Sequence, residues 1–256
     1  EPTASKGCLS FIHIPKTGGS SIEFLAAEAY QMKGVALSSP LEWGDCKAMA
    51  KKNPHRLWGM CDQELKCENL KGCGISSADC CHINKTFEPA VKKGNSNEKC
   101  SMWHFPPGLD PILSKSMLTC DTFCVVRDPV SKFVSHWKWR NLGRTGCSSE
   151  AFAQYVVEEL QKTREDILHE DCHFTPQVYF VWKWGQPALE RQCTHVLHME
   201  NLTQEFNSLM RAYNLPMKID PKNAARKSED CKVNISAETA SLIKGYYAED
   251  YAAFGY

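Results

Sequence analysis

Lys16, Thr17, Gly18, Gly19, Ser20 and Ser21 stand together inside Phe11 to Ser21, FIHIPKTGGSS, where an apolar strand runs into a glycine-rich turn and then a helix. This is the composition of a phosphate cradle. Gly18 and Gly19 let the backbone approach an anion closely, and the first N–H groups of a helix beginning near Ser20 point at it. Lys16 adds a full positive charge, while Thr17, Ser20 and Ser21 add hydroxyl donors. An ATPase or kinase P-loop needs Gly, four residues, then Gly-Lys and Ser/Thr, but here the Lys precedes the glycines. The bland alternative is a helix N-terminus whose glycines serve packing.

A second anion site is encoded by Thr122 to Trp137, TFCVVRDPVSKFVSHW, again strand, turn and helix, with Pro129 in the first helical turn where its missing N–H costs nothing. Arg127 falls at the C-terminal end of the strand. In an open α/β sheet that edge binds ligands, so Arg127 and Ser135, about two helical turns apart, can face the crevice of the first loop. Read alone, Arg-Asp-Pro before a helix is equally an ordinary capped helix. Its order and distance from the first loop give it weight.

With its Lys ahead of the glycines, the first stretch resembles the 5′-phosphosulfate loop of sulfotransferases that use 3′-phosphoadenosine 5′-phosphosulfate (PAPS), especially the Golgi-type carbohydrate enzymes. The second resembles their 3′-phosphate motif, with Arg127 and Ser135 in the ligand positions and Lys132 where many relatives carry Arg. Cys172 to Phe180 (CHFTPQVYF), Thr194 to Leu202 (THVLHMENL) and Tyr246 to Tyr256 (YYAEDYAAFGY) extend the likeness to nearly everything outside residues 44–100. From the residues, THVLHME is a buried strand, ENLTQEFNSLM an amphipathic helix, and the last segment a helix with an aromatic core face. The resemblance implies an α/β fold with a central, mainly parallel sheet flanked by helices and a P-loop-like cofactor site. It also implies PAPS as donor, 3′-phosphoadenosine 5′-phosphate as product, no metal, and an N-terminal signal anchor outside these residues. Lys16 to Ser21, Arg127 and Ser135 would hold the donor, and Arg226 and Lys227 would close over it, unless they belong to a solvated loop.

Moving a sulfuryl group to a hydroxyl calls for charge stabilisation on the leaving phosphate and a base for the acceptor's proton. Lys16 suits the first task. For the second we select His104, in MWHFPPGLD, because Pro106 and Pro107 stiffen the loop and an imidazole titrates near neutrality. Its position between the two motifs resembles that of the catalytic His in glycan sulfotransferases. His13, His136 and His173 are the rivals: His13 reads as a strand His satisfied by backbone, and His136 as facing another side of its helix. Glu200, closing the THVLHME strand, is placed to orient a basic residue or the next helix N-terminus.

These elements need a frame, and 256 residues with 43% hydrophobic and 23% charged residues supply one catalytic domain over 1–256. No apolar run approaches the ~18 residues that cross a bilayer. Fourteen cysteines and three Asn-X-Ser/Thr triplets, at Asn84, Asn201 and Asn234, point to an oxidising secretory lumen, which the resemblance implies is the Golgi. Seven of the cysteines, Cys46, Cys61, Cys67, Cys73, Cys80, Cys81 and Cys100, crowd into residues 44–100, which lack helical or strand periodicity. That reads as a disulfide-stapled insertion; zinc is disfavoured because no paired CxxC units occur. An odd count sends at least one partner outside the insertion or leaves a free thiol. Ten Lys/Arg against six Asp/Glu between Cys46 and Cys100 make it mildly basic, as a solvated loop or an acidic-substrate grip. Cys147 with Cys172 is a further candidate bridge, and Cys120 and Cys124 are expected as thiols near the sheet or paired elsewhere.

The expected partner is a hydroxylated acceptor, glycan or small metabolite, with no nucleic acid and a membrane only through that anchor. A formal net charge of zero disfavours a heavily sulfated acceptor. Two readings of other classes stand beside this one: a Mg²⁺-dependent nucleotide kinase or hydrolase, and a secreted binding module with a dead site.

Overall fold

The computed structural model describes residues 7–29, 100, 104–109, 120–141, 148–183, 190–220 and 233–256. Three strands, β1 (Leu9–Ile12), β2 (Asp121–Val126) and β3 (His195–His198), form a parallel sheet in the order β1-β2-β3. The register sets Phe11 beside Phe123 and Phe123 beside His195, so all three C-terminal ends reach one edge. Around the sheet lie α1 (Gly19–Ala29), α2 (Pro129–Arg140), α3 (Ser149–Glu165), the short α4 (Val178–Val181), α5 (Leu202–Ala212), α6 (Ala237–Tyr246) and α7 (Ala248–Phe254). The expectation of an α/β protein with a parallel sheet and flanking helices holds.

Alternation along the strands explains why both faces are covered. Leu9, Phe11, Phe123 and Val125 face Ile22 and Ala26 of α1 and Leu202, Phe206, Leu209 and Met210 of α5. Ile12, Cys124 and Val126 face the other way, onto Phe180 and Val181 of α4. A third apolar cluster joins Phe133 and Trp137 of α2, Phe152, Val156 and Leu160 of α3, and Ile243 with Tyr247 at the end of α6. β3 departs from its expected full burial: only Leu197 of its four residues is buried.

Cysteine pairing is the clearest correction. Cys172 bonds to Cys100, so the Cys147–Cys172 pair is excluded, and Cys147 itself lies outside the described residues. For Cys120 and Cys124 the second of the two alternatives holds, since Cys120 pairs with Cys8 and Cys124 with Cys193. Adjacent parallel strands bring such side chains within bonding reach, which spacing along the chain cannot reveal. Cys100 supplies the bridge out of the 44–100 insertion that its odd count requires; the other six cysteines of that segment, and Arg226 and Lys227, lie outside the described residues. Three disulfides are compatible with a secreted or lumenal protein. Among the described residues no helix is long and apolar enough to cross a membrane.

Candidate functional site

β1 hands over to α1 through a tight left-handed turn. Lys16 has φ 67° and Gly18 φ 91°, conformations that glycine adopts freely and Lys only under constraint. Thr17 closes the turn, its buried hydroxyl donating to Ile14 O at 2.8 Å. In this structure that bond uses the hydroxyl proton to hold the loop. Ser20 and Ser21 lie exposed in the first turn of α1. The glycines have a second reason to be there, since a Cβ on Gly18 would meet Met199 Sδ at 2.9 Å and one on Gly19 would fall 2.5 Å from the His13 ring.

At the end of β2, Arg127 turns back over this loop and its Nη1 donates to Lys16 O at 3.2 Å. The two motifs, 111 residues apart, thus meet at one place. Arg127 is held by its own backbone: its N–H donates to Gln177 Oε1 at 2.9 Å and its carbonyl accepts from Gln177 Nε2 at 2.8 Å. Gln177 Nε2 also donates to the buried Asp250 carboxylate, which accepts the N–H groups of Gln177 and Val178 as well. Next, Asp128 caps α2 by accepting from Ser131 N at 2.8 Å, and Tyr251 OH donates to its other oxygen. Glu200 accepts from Asp128 N at 3.1 Å and from Tyr256 OH at 3.3 Å, so it steadies the turn beside Arg127.

Both cations feel partial burial. Lys16 is pulled down to about 8 by desolvation and by the Arg127 charge. Desolvation also lowers Arg127, against Glu200 and Asp128. A cation held below its ordinary pKa by burial and a like charge is stabilised by an arriving anion. On α2, Ser135 is half-buried one turn before Trp139, on the same helical face, and the Trp139 ring lies 4.8 Å from Lys16 Nζ. Lys132 does not join them. It is buried, donates to Thr175 O at 3.2 Å near Asp250, and is lowered to about 8 by desolvation.

Beside the cradle runs a file of four imidazoles: His13 to His104, His104 to His173, and His173 to His136, with ring centroids 5.0, 5.0 and 4.8 Å apart. His104 is buried and its Nδ1 lies 2.6 Å from Asp171 Oδ2. Burial lowers its pKa, while Asp171 acts in the opposite direction. His13 Nδ1 pairs with the Glu23 carboxylate at 3.1 Å. His136 faces inward onto Tyr155 OH and is strongly depressed by burial. His173 Nδ1 donates to Glu170 O at 2.7 Å, its ring stacks on Trp139, and burial lowers it to about 3. Of the four, His104 takes its carboxylate partner from a separate loop, and the Asp171 hydrogen bond raises its basicity against the effect of burial.

No family model, curated protein or solved structure matches this chain.

The sequence reading missed Asp171, Trp139 and Gln177. Trp139 could have been found one turn beyond Ser135 on the same helix face. Gln177 and Asp171 carried no local signal, because each acts across 50 or more residues of chain.

Proposed function

We propose that this chain is a PAPS-dependent sulfotransferase with a P-loop-like cofactor site, acting on a hydroxyl of a carbohydrate in the Golgi or another secretory compartment. The observation that carries it is the hydrogen bond from Arg127 to Lys16 O, which brings the Lys16 turn and Arg127 together at one sheet edge. A donor with phosphates at both ends of one ribose needs that arrangement. Lys16 binds the 5′ side and stabilises charge on the bridging oxygen as the S–O bond breaks. Arg127 and Ser135 take the 3′-phosphate, with Trp139 covering the Lys16 stem. The acceptor oxygen attacks sulfur in line and gives its proton to His104, leaving a sulfate ester and 3′-phosphoadenosine 5′-phosphate.

A kinase-type site would turn the hydroxyl after the Lys and a strand-end carboxylate to Mg²⁺. Here the upstream glycine of such a loop is absent, and both Asp128 oxygens accept, from Ser131 N and Tyr251 OH, at the start of α2. The zero net charge favours a neutral glycan over a polyanionic one, with a small hydroxylated metabolite as the alternative acceptor.

Calorimetric titration with 3′-phosphoadenosine 5′-phosphate against ATP tests the cofactor. Transfer of labelled sulfate from PAPS to a panel of neutral glycans and small alcohols tests the reaction. Metal-independent binding that requires the 3′-phosphate, with turnover lost in Lys16→Ala, is expected. Mg²⁺-dependent ATP turnover would overturn the proposal, and absence of any nucleotide binding would favour the non-catalytic module.

A further inference from the structure

Glu170, Asp171 and Cys172 have φ of 52°, 53° and 59°, a run of three non-glycine residues in the left-handed region. Each costs about 1–3 kcal/mol and persists only where its surroundings hold it. Here they do. Cys172 is bonded to Cys100, Arg140 pairs with Glu170 at 3.2 Å, and the N–H of His173 donates to Glu170 O. Thr175 adds two bonds, from its N–H to Cys172 O and from its hydroxyl to Ile167 O. The result of this turn is local: it carries the Asp171 carboxylate to His104 Nδ1.

We propose that Asp171 is the positioning residue for His104, held there by the left-handed turn that the Cys100–Cys172 bridge anchors. The inference rests on the sulfotransferase reading for its chemistry, but the dyad itself can be tested without turnover. A carboxylate on Nδ1 fixes the proton on that nitrogen and the ring's lone pair on Nε2, the atom that then receives the acceptor's proton. As it does so, the Nδ1–H stays donated to Asp171, whose negative charge stabilises the imidazolium. The groups that set this titration are His13 just after β1, Glu23 from α1, Asp171 and His173 from the turn, and Lys16 beyond His173. Glu23 and Asp171 raise the His104 pKa, and His13 lowers it.

His104, Asp171 and His173 also offer ligand atoms within 4.8 Å of one another, the spacing of a cation site. Charge argues for the dyad, because Lys16 already depresses His173 and a dication here would face Lys16 across that ring.

The first experiment is nitrogen-15 NMR of the histidine rings in the full chain, assigned with His104→Gln. The Nδ1–H tautomer is expected for His104, and its loss in Asp171→Asn. An Nε2–H tautomer in the unaltered chain, or stoichiometric Zn²⁺ binding that Asp171→Asn and His173→Gln abolish, overturns the proposal. The second is kinetic. Asp171→Asn is expected to lower kcat about a hundredfold or more with little change in KM or in product-nucleotide affinity, and to move the acidic limb of the kcat profile to lower pH. Asp171→Glu should restore part of kcat. An unmoved limb, or equal loss of nucleotide affinity, makes Asp171 merely structural. If no variant and no parent chain transfers sulfate, the tautomer still decides the dyad while the sulfotransferase reading falls.

Discussion

Lys16 is a cation that the unliganded protein holds at a cost, and that cost is a handle. Its pKa near 8, lowered by burial and by Arg127, means that an anion binding beside it must draw a proton back onto it as pH rises. The sign follows from which form the anion selects. Only protonated Lys16 attracts phosphate, so affinity for 3′-phosphoadenosine 5′-phosphate is expected to be level below about pH 8 and to weaken above it, by up to about tenfold per pH unit. Calorimetry across that range checks this. A level profile through pH 9.5 would remove Lys16 from the anion site. The residue type, its place before the glycines and a shared edge with Arg127 were legible in the sequence, whereas its left-handed φ and the hydrogen bond from Arg127 to its carbonyl were not.

At the scale of elements, the β1–α1 junction is close-packed. His13 sits under Gly19, ties to Glu23 one turn into α1, and touches His104, so the glycine turn and His104 share one support. Gly19→Ala places a methyl group 2.5 Å from the His13 ring and must push β1 and α1 apart. A loss of about 1–3 kcal/mol in chemical denaturation is expected, together with weaker nucleotide binding. Unchanged stability would mean that this contact relaxes and that Gly19 serves ligand approach alone. Helix starts were readable from sequence here because local chemistry sets them: Pro129 opens α2 behind the Asp128 cap, and Ser148 caps α3 through Ala151 N. The left-handed turn at Glu170 to Cys172 was not readable. It has no Gly or Asn and exists because distant partners impose it.

For the molecule as a whole, the sheet separates a stabilised edge from a working one. Cys8 and Cys120 join the starts of β1 and β2, while Lys16, Arg127 and Glu200 follow the ends of β1, β2 and β3. The Cys8–Cys120 bridge closes a long loop, with 112 residues of sequence separation, so removing it is expected to cost about 2–4 kcal/mol of stability. In Cys8→Ala/Cys120→Ala the midpoint in guanidinium should fall while affinity for 3′-phosphoadenosine 5′-phosphate stays within about twofold. An affinity that fell with stability would show that the two edges are coupled through the strands.

By itself the amino-acid sequence determined whatever a short segment settles: the strand, glycine turn and helix around Lys16, the capped helix behind Arg127, the alternation that buries both faces of β1 and β2, and the oxidising character of the cysteines. Tertiary structure alone decided which of those pieces meet. Cys120 found Cys8, Gln177 clamped Arg127, and Asp171 reached His104. The physical reason is range: backbone propensity and side-chain period act over a few residues, whereas a hydrogen bond or disulfide between distant segments depends on how the parallel crossovers return the chain to the same edge.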